Sequence, residues 1–153
     1  MKVKEVMKIP CSLELFCLGG GIYNLIEVVW RGYTHWSMFL VGGACFQIMG
    51  KIQNSEKFKH LLSKCALCSA AVTGIEFVSG CVFNLGFKLN VWDYSQMPLN
   101  LMGQVCALYT VLWGLLSIVA RPVYRFLSEK LNSALPARRP QRAPFFLKDP
   151  QQS

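Results

Sequence analysis

The chain has 153 residues, of which 53% are hydrophobic and 16% charged, and its formal net charge is +8. That length would suit one soluble domain, but so much apolar and so little charged sequence does not fit one. Four nearly uncharged segments, 13–30, 36–50, 65–87 and 101–120, could not all be enclosed by so small a soluble core.

In chain order, Lys2, Lys4 and Lys8 mark residues 1–12 as a basic N-terminus. Basic residues before an apolar run also open signal peptides, but Glu14 and Glu27 interrupt this run and no small-x-small site closes it. A helix rises about 1.5 Å per residue and a bilayer core is about 30 Å thick, so roughly 17 to 25 residues cross it. The first span is therefore predicted over 13–31. A second, 36–53, reaches span length only if Lys51 snorkels and Ile52 and Gln53 are included. The third is predicted over 65–87 and the fourth over 100–120. From 122 to 135, Val123, Phe126, Leu127, Leu131 and Leu135 recur at helical spacing among Arg125, Ser128, Glu129 and Lys130, which predicts an amphipathic helix on the cytoplasmic leaflet. Residues 136–153, with Pro136, Pro140, Pro144 and Pro150 and three arginines, read as a disordered, solubilising tail.

The predicted fold is an all-α membrane protein, a four-transmembrane-helix bundle with a cytoplasmic amphipathic helix. The stretches "NLIEVVWRGYTHWSM" (24–38) and "TGIEFVSGCVFNLGFKLNVWDYSQM" (73–97) share Ile-Glu and a Trp, Ser and Met loop, so two duplicated helical hairpins are one reading and convergence is the other. Basic residues gather before the first span, between the second and third (Lys51, Lys57, Lys59, Lys64) and after the fourth (Arg121, Arg125, Lys130, Arg138, Arg139, Arg142, Lys148), leaving only Arg31 and Lys88 for the other loops. The positive-inside rule then puts both termini in the cytoplasm and the Arg31 and Lys88 loops outside. The charge thus reads as topology and as contact between the basic tail and anionic lipids, not as nucleic-acid binding.

Helical spacing aligns polar and small residues within each span: Gly20, Asn24, Glu27 and Arg31; Gly43, Gln47 and Gly50; Ser69, Thr73, Glu76, Gly80 and Asn84; Asn100, Gly103, Ala107, Thr110, Gly114, Ser117 and Arg121. Such stripes are the faces by which membrane helices associate. An ionised carboxylate at mid-membrane costs at least a few kcal/mol, so Glu27 and Glu76 must be paired or protonated. Glu27 can reach Arg31 at i+4; Glu76 lies near the centre of its span. The candidate path or helix-interface residues are Asn24, Glu27, Glu76, Asn84, Asn100 and Gln104. One reading makes them a proton, cation or substrate path, the other interhelical bonds that fix packing. Trp30, Tyr33, Trp36, Trp92 and Tyr94 are expected as an outer aromatic belt. In the external motif Asp93 suits a turn, Ser95 an N-cap for the fourth helix and Pro98 its first turn.

Seven cysteines, Cys11, Cys17, Cys45, Cys65, Cys68, Cys81 and Cys106, read as small apolar residues rather than a disulfide framework. Cys65 and Cys68 have CxxC spacing but lack a second pair or a His cluster. His35 and His60 have no ligand or nucleophile partner at a recognisable spacing, so neither a metal, a cofactor nor an enzyme activity is expected.

The stretches "IEFVSGCVFNLGFKLNVWDYSQMPLNLMGQVCALYTVLWGLLS" (75–117) and "LIEVVWRGYTHWSMFLVGGACF" (25–46) resemble the bacterial ABC-transporter type IV integral membrane family over most of residues 15–120. The most specific parts are Glu76, Trp92-Asp93-Tyr94-Ser95, Pro98, Asn100, Gly103-Gln104 and Leu112-Trp113-Gly114. The resemblance implies a transporter permease in the bacterial inner membrane. The nearest thing to a P-loop, Gly43 to Lys51, has the wrong spacing and is followed by Ile52, so ATP use would need a separate ATPase subunit. The expected role is a permease-like, homo-oligomeric subunit; the competing one is a membrane scaffold whose polar stripes only lock helices together.

Overall fold

A computed structural model describes residues 12–134, so the basic N-terminus, Cys11 and the proline-rich tail lie outside the described residues. Four helices are present among the described residues: α1 (Ser12–Arg31), α2 (Trp36–Gln53), α3 (Leu61–Gly80) and α4 (Ala107–Ala134). A π-helical turn, Cys81–Gly86, extends α3, and a minimal antiparallel pair, β1 (Asn100–Leu101) with β2 (Val105–Cys106), precedes α4.

Glu14 in the first turn of α1 and Arg31 in its last suit the helix dipole. Gly32 then closes the helix at φ 79°, donating to the Val28 carbonyl at 2.8 Å. Three residues later His35 caps α2, its Nδ1 accepting the Ser37 amide at 3.3 Å. This is a role that spacing alone did not assign. The short turn lays α1 against α2 so closely that a Cβ on Gly42 would sit 2.5 Å from Tyr23, and one on Gly43 2.7 Å from the Phe16 carbonyl. Gly20 of α1 likewise faces the Phe39 carbonyl of α2, whereas Gly50 faces Tyr124 of α4.

Three segments are long and apolar enough to cross a membrane: Leu13–Arg31, Leu61–Gly86 and Ala107–Ala134. The second helix is the one most enclosed by its neighbours: Met38, Val41, Cys45, Met49 and Gln53 are all buried. Its side chains join Cys68, Val72 and Ala120 in the main apolar core. On α3 the buried residues Lys64, Cys68, Val72, Glu76 and Gly80 recur every fourth position and form one face.

Several predicted boundaries need correction. The third helix starts at Leu61, four residues early, because Lys64 turns inward and donates to the Gln53 carbonyl at 2.8 Å. The fourth does not begin at Asn100, nor does Ser95 cap it or Pro98 open it. Leu99, Met102 and Gly103 take positive φ of 52°, 54° and 68°, which breaks any helix there, and α4 starts only at Ala107. At the far end α4 runs unbroken through Pro122, which forfeits one backbone bond without ending the helix, so the amphipathic stretch continues the fourth helix instead of forming a separate element.

The late start of α4 has a spatial consequence. Thr110 stands opposite Ser69 and Thr73, bonding Thr73 at 3.0 Å and accepting from Ser69 through its carbonyl. Gly114 lies against Cys65 and Ser69, and Tyr124 packs on Gly50 and Phe46 of α2. The fourth helix thus covers the half of α3 near Leu61. Beside the other half, the place of a continuous fourth span is filled by the non-helical segment 87–106.

Candidate functional site: a buried polar layer under a folded loop

The site is built where this loop meets α3. Asn84, in the π-helical turn, is buried and holds the loop at three points: its Oδ1 accepts the Val91 amide at 2.7 Å, and its Nδ2 donates to the Trp92 carbonyl and to Gln104 Oε1, both at 2.9 Å. Gln104 fits because residue 80 is glycine; a Cβ there would lie 2.5 Å from Gln104 Oε1. Gln104 Nε2 donates in turn to the Met102 carbonyl at 2.9 Å, and its own carbonyl accepts Trp92 Nε1 at 2.9 Å. Trp92 is only 6% exposed. It is therefore not an interfacial belt residue but the plug of the loop, packed with Met38 and Val91. Trp30, Tyr33 and Trp36 are exposed.

Asn100 is a second correction. It is exposed and does not enter the interior stripe. Its Nδ2 donates to the Ser95 and Met97 carbonyls at 3.1 and 2.8 Å and its Oδ1 accepts the Gly103 amide at 3.0 Å, so it knots the loop to itself. Asp93 and Ser95 make a local turn, the Asp93 carboxylate accepting the Ser95 amide at 2.8 Å and its hydroxyl at 3.0 Å.

One to two turns deeper lies Glu76, 3% exposed. Trp113 Nε1 of α4 donates to its Oε2 at 2.7 Å, and the Tyr94 hydroxyl reaches the same carboxylate from the loop. Tyr94 stacks on Tyr109 with centroids 4.8 Å apart, and Tyr23 of α1 lies 6.3 Å from Trp113. Glu76 of α3 is thus reached from both α4 and the loop. Sequence spacing did not single out Trp113 or Tyr94 as its partners. The available signal was an indole N–H in the middle of an aliphatic run, where it needs an acceptor.

Glu27 occupies a separate niche at the Arg31 end. The predicted i+4 pair forms: Arg31 Nη1 bonds Glu27 Oε1 at 2.7 Å. The second oxygen accepts Thr34 Oγ1 at 2.5 Å, and Thr34 also lies 3.3 Å from Asn24 Oδ1. Arg31 Nη2 donates to Tyr33 and to the Val91 carbonyl at 3.0 and 2.9 Å, tying α1 to the loop. Together with His35, Leu89 and Asn90 these residues enclose a recess of about 180 Å³. The two carboxylates therefore belong to different clusters, and the hairpins they mark use them differently, one within its own turn and one across helices. At the opposite end Gln53 Nε2 of α2 donates to Ser117 Oγ of α4 at 2.7 Å; Arg121, the predicted last member of the fourth span's stripe, is exposed. Cys65 and Cys68 are free thiols, and among the described residues no cluster of three or more His, Cys, Asp or Glu could hold a metal.

Three helices long and apolar enough to cross a membrane, with many large apolar side chains exposed on the exterior, are compatible with a helical membrane protein. A family model described as "Putative ABC-transporter type IV" matches residues 15–145, and the chain belongs to that family. No curated protein and no solved structure matches it.

Proposed function

We propose that the chain is a permease-like subunit of a transporter, with all four helices crossing the membrane and α2 shielded by the other three. In this reading both termini and the α2–α3 turn face the cytoplasm, and the Arg31 end and the loop face outward. Glu76 carries the reading: a buried, ionisable side chain sits where the fourth span gives way to irregular backbone. In membrane transporters such interruptions at depth are tolerated where they line a path, and they supply polar groups to a bound ion or substrate. Glu76 would take up and release a proton or bind a cation, with Tyr94 and Trp113 as its donors and the Asn84–Gln104 pair above it. Any ATP hydrolysis would come from a separate subunit, and so small an interior is suited to a homo-oligomer.

Glu76→Gln tests this, because the amide can still accept from Trp113 but cannot carry charge. The full-length protein would be reconstituted in vesicles of phosphatidylethanolamine and phosphatidylglycerol, with proton movement followed by an enclosed pH dye under an imposed potential. Wild type is expected to carry a flux that the variant loses while melting and assembling like wild type. An unchanged flux, or loss of assembly alone, would overturn the reading.

A second reading, a non-transport scaffold or assembly protein, is favoured by a specific observation. Glu27 has both oxygens bonded and Asn84 and Gln104 spend their polar atoms on the loop, as groups that only fix packing would.

A further inference from the structure

We infer that the segment 87–106 is re-entrant, set into the leaflet at the Arg31 end, with Leu99, Leu101 and Met102 forming a rim against lipid acyl chains. Gln104 contacts Gly80 and Asn84, and Gly80 lies six residues before the end of the π-helical turn at Gly86, so the loop returns about 9 Å below that end at the helical rise. The Tyr94 hydroxyl goes deeper, to Glu76.

An irregular loop in water can leave its carbonyls to solvent, whereas one in hydrocarbon must satisfy them internally. Here side chains cover seven carbonyls: those of Val91 by Arg31, Trp92 by Asn84, Ser95 and Met97 by Asn100, Met102 by Gln104, Gln104 by Trp92, and Cys106 by Thr110. Backbone amides cover those of Tyr94, Leu99, Leu101 and Gly103. The residues that hold this loop are thus polar clamps suited to a water-poor setting.

Leu99, Leu101 and Met102 are 84%, 55% and 61% exposed, and two of them take a left-handed backbone that bulky side chains rarely adopt. The Leu99 carbonyl accepts the amide of Ala107, the first residue of α4, whose opening turns also expose Leu108, Val111, Leu112 and Leu115. Exposed apolar side chains therefore lie both on the loop and on the start of a candidate span joined to it. Asp93, Ser95 and Gln96 are exposed, and the Asp93 carboxylate lies beside Gly103, so the rim sits at a level where headgroup water still reaches that charge. Transfer of the apolar rim into hydrocarbon offsets the unfavourable backbone at Leu99 and Met102. The inference concerns lipid contact and holds whether or not the protein transports.

A diazirine-bearing phenylalanine analogue placed at Leu101, and separately at Met102, tests it in the full chain reconstituted in phosphatidylethanolamine–phosphatidylglycerol vesicles. The same analogue at Val111 marks a lipid-facing helix position and at Gln96 a water-facing one. After illumination, mass spectrometry should find phospholipid adducts at Leu101 and Met102 at the yield seen at Val111, and none at Gln96. Water insertion at both rim positions, or crosslinks there to a second copy of the chain, would overturn the inference. Because both sites are exposed, each variant should melt as wild type does; if one does not, the other decides.

Discussion

Replacing Asn84 by alanine should release the loop while leaving the helices in place. The side chain makes one bond to the Val91 amide, one to the Trp92 carbonyl and one to Gln104 Oε1, and it is 6% exposed. Truncation strands an amide, a carbonyl and a side-chain amide oxygen in a site closed to water. Each such group costs about 1–3 kcal/mol in soluble proteins, and side-chain bonds in membrane bundles average about 0.6 kcal/mol with a maximum near 1.7. Three bonds at the membrane scale, partly relieved by water entering as the loop lifts, give a loss of about 2–4 kcal/mol. Asn84→Asp keeps the acceptor for Val91 but puts carboxylate oxygens against the Trp92 carbonyl and Gln104 Oε1, so it should be at least as damaging. Unfolding in mixed detergent micelles reads the stability, and trypsin cleavage after Lys88 reads the loop. The reasoning fails if Asn84→Ala stays within about 0.5 kcal/mol of wild type, the range of an ordinary surface change, and its loop resists trypsin equally.

Gly80→Ala places a methyl 2.5 Å from Gln104 Oε1 and 2.9 Å from its Cβ, and should cost about 1–3 kcal/mol and loosen the loop as Asn84→Ala does; equal melting of variant and wild type would refute it. Arg31→Ala leaves Glu27, 5% exposed, with only Thr34 as partner and should destabilise by about 1–3 kcal/mol, tempered by the partial exposure of the arginine; Glu27→Gln on that background should recover part of the loss in the same melt. Trp113→Phe removes the indole donor to Glu76 and should cost about 1 kcal/mol, and a double-mutant cycle with Glu76→Leu should return a coupling of similar size. No coupling would separate the two residues.

The helices were legible because each carries a long uncharged run; the neighbours that Gly43 meets on α1 and that Ser69, Thr73, Glu76 and Gly80 meet on α4 and the loop come from the packing, since helical spacing tells which side chains share a face but not what that face meets. The Glu27–Arg31 pair followed from i+4 spacing alone. The segment 87–106 was not legible. Its aromatic and apolar residues satisfy the composition of a belt followed by a span, and the positive φ at Leu99 and Met102 leaves no mark in residues that usually avoid it. Only Gly103 hinted at the break. Hydropathy also cannot separate the Asn100 that binds its own loop from the Gln104 that enters the interior, since both follow the same periodicity. The end of the uncharged run at Ala120 misled in the other direction, suggesting an end where α4 continues through Arg121 and Pro122.

The most direct test of the transporter reading is purification of the full-length chain from its native membranes in mild detergent, with the accompanying subunits identified and their ATP hydrolysis measured. A nucleotide-hydrolysing subunit should accompany the chain, and Glu76→Gln should keep that association while changing the hydrolysis rate. If no such subunit accompanies the wild-type chain and Glu76→Gln leaves vesicle proton flux unchanged, the chain is no transporter subunit and Glu76 serves packing alone.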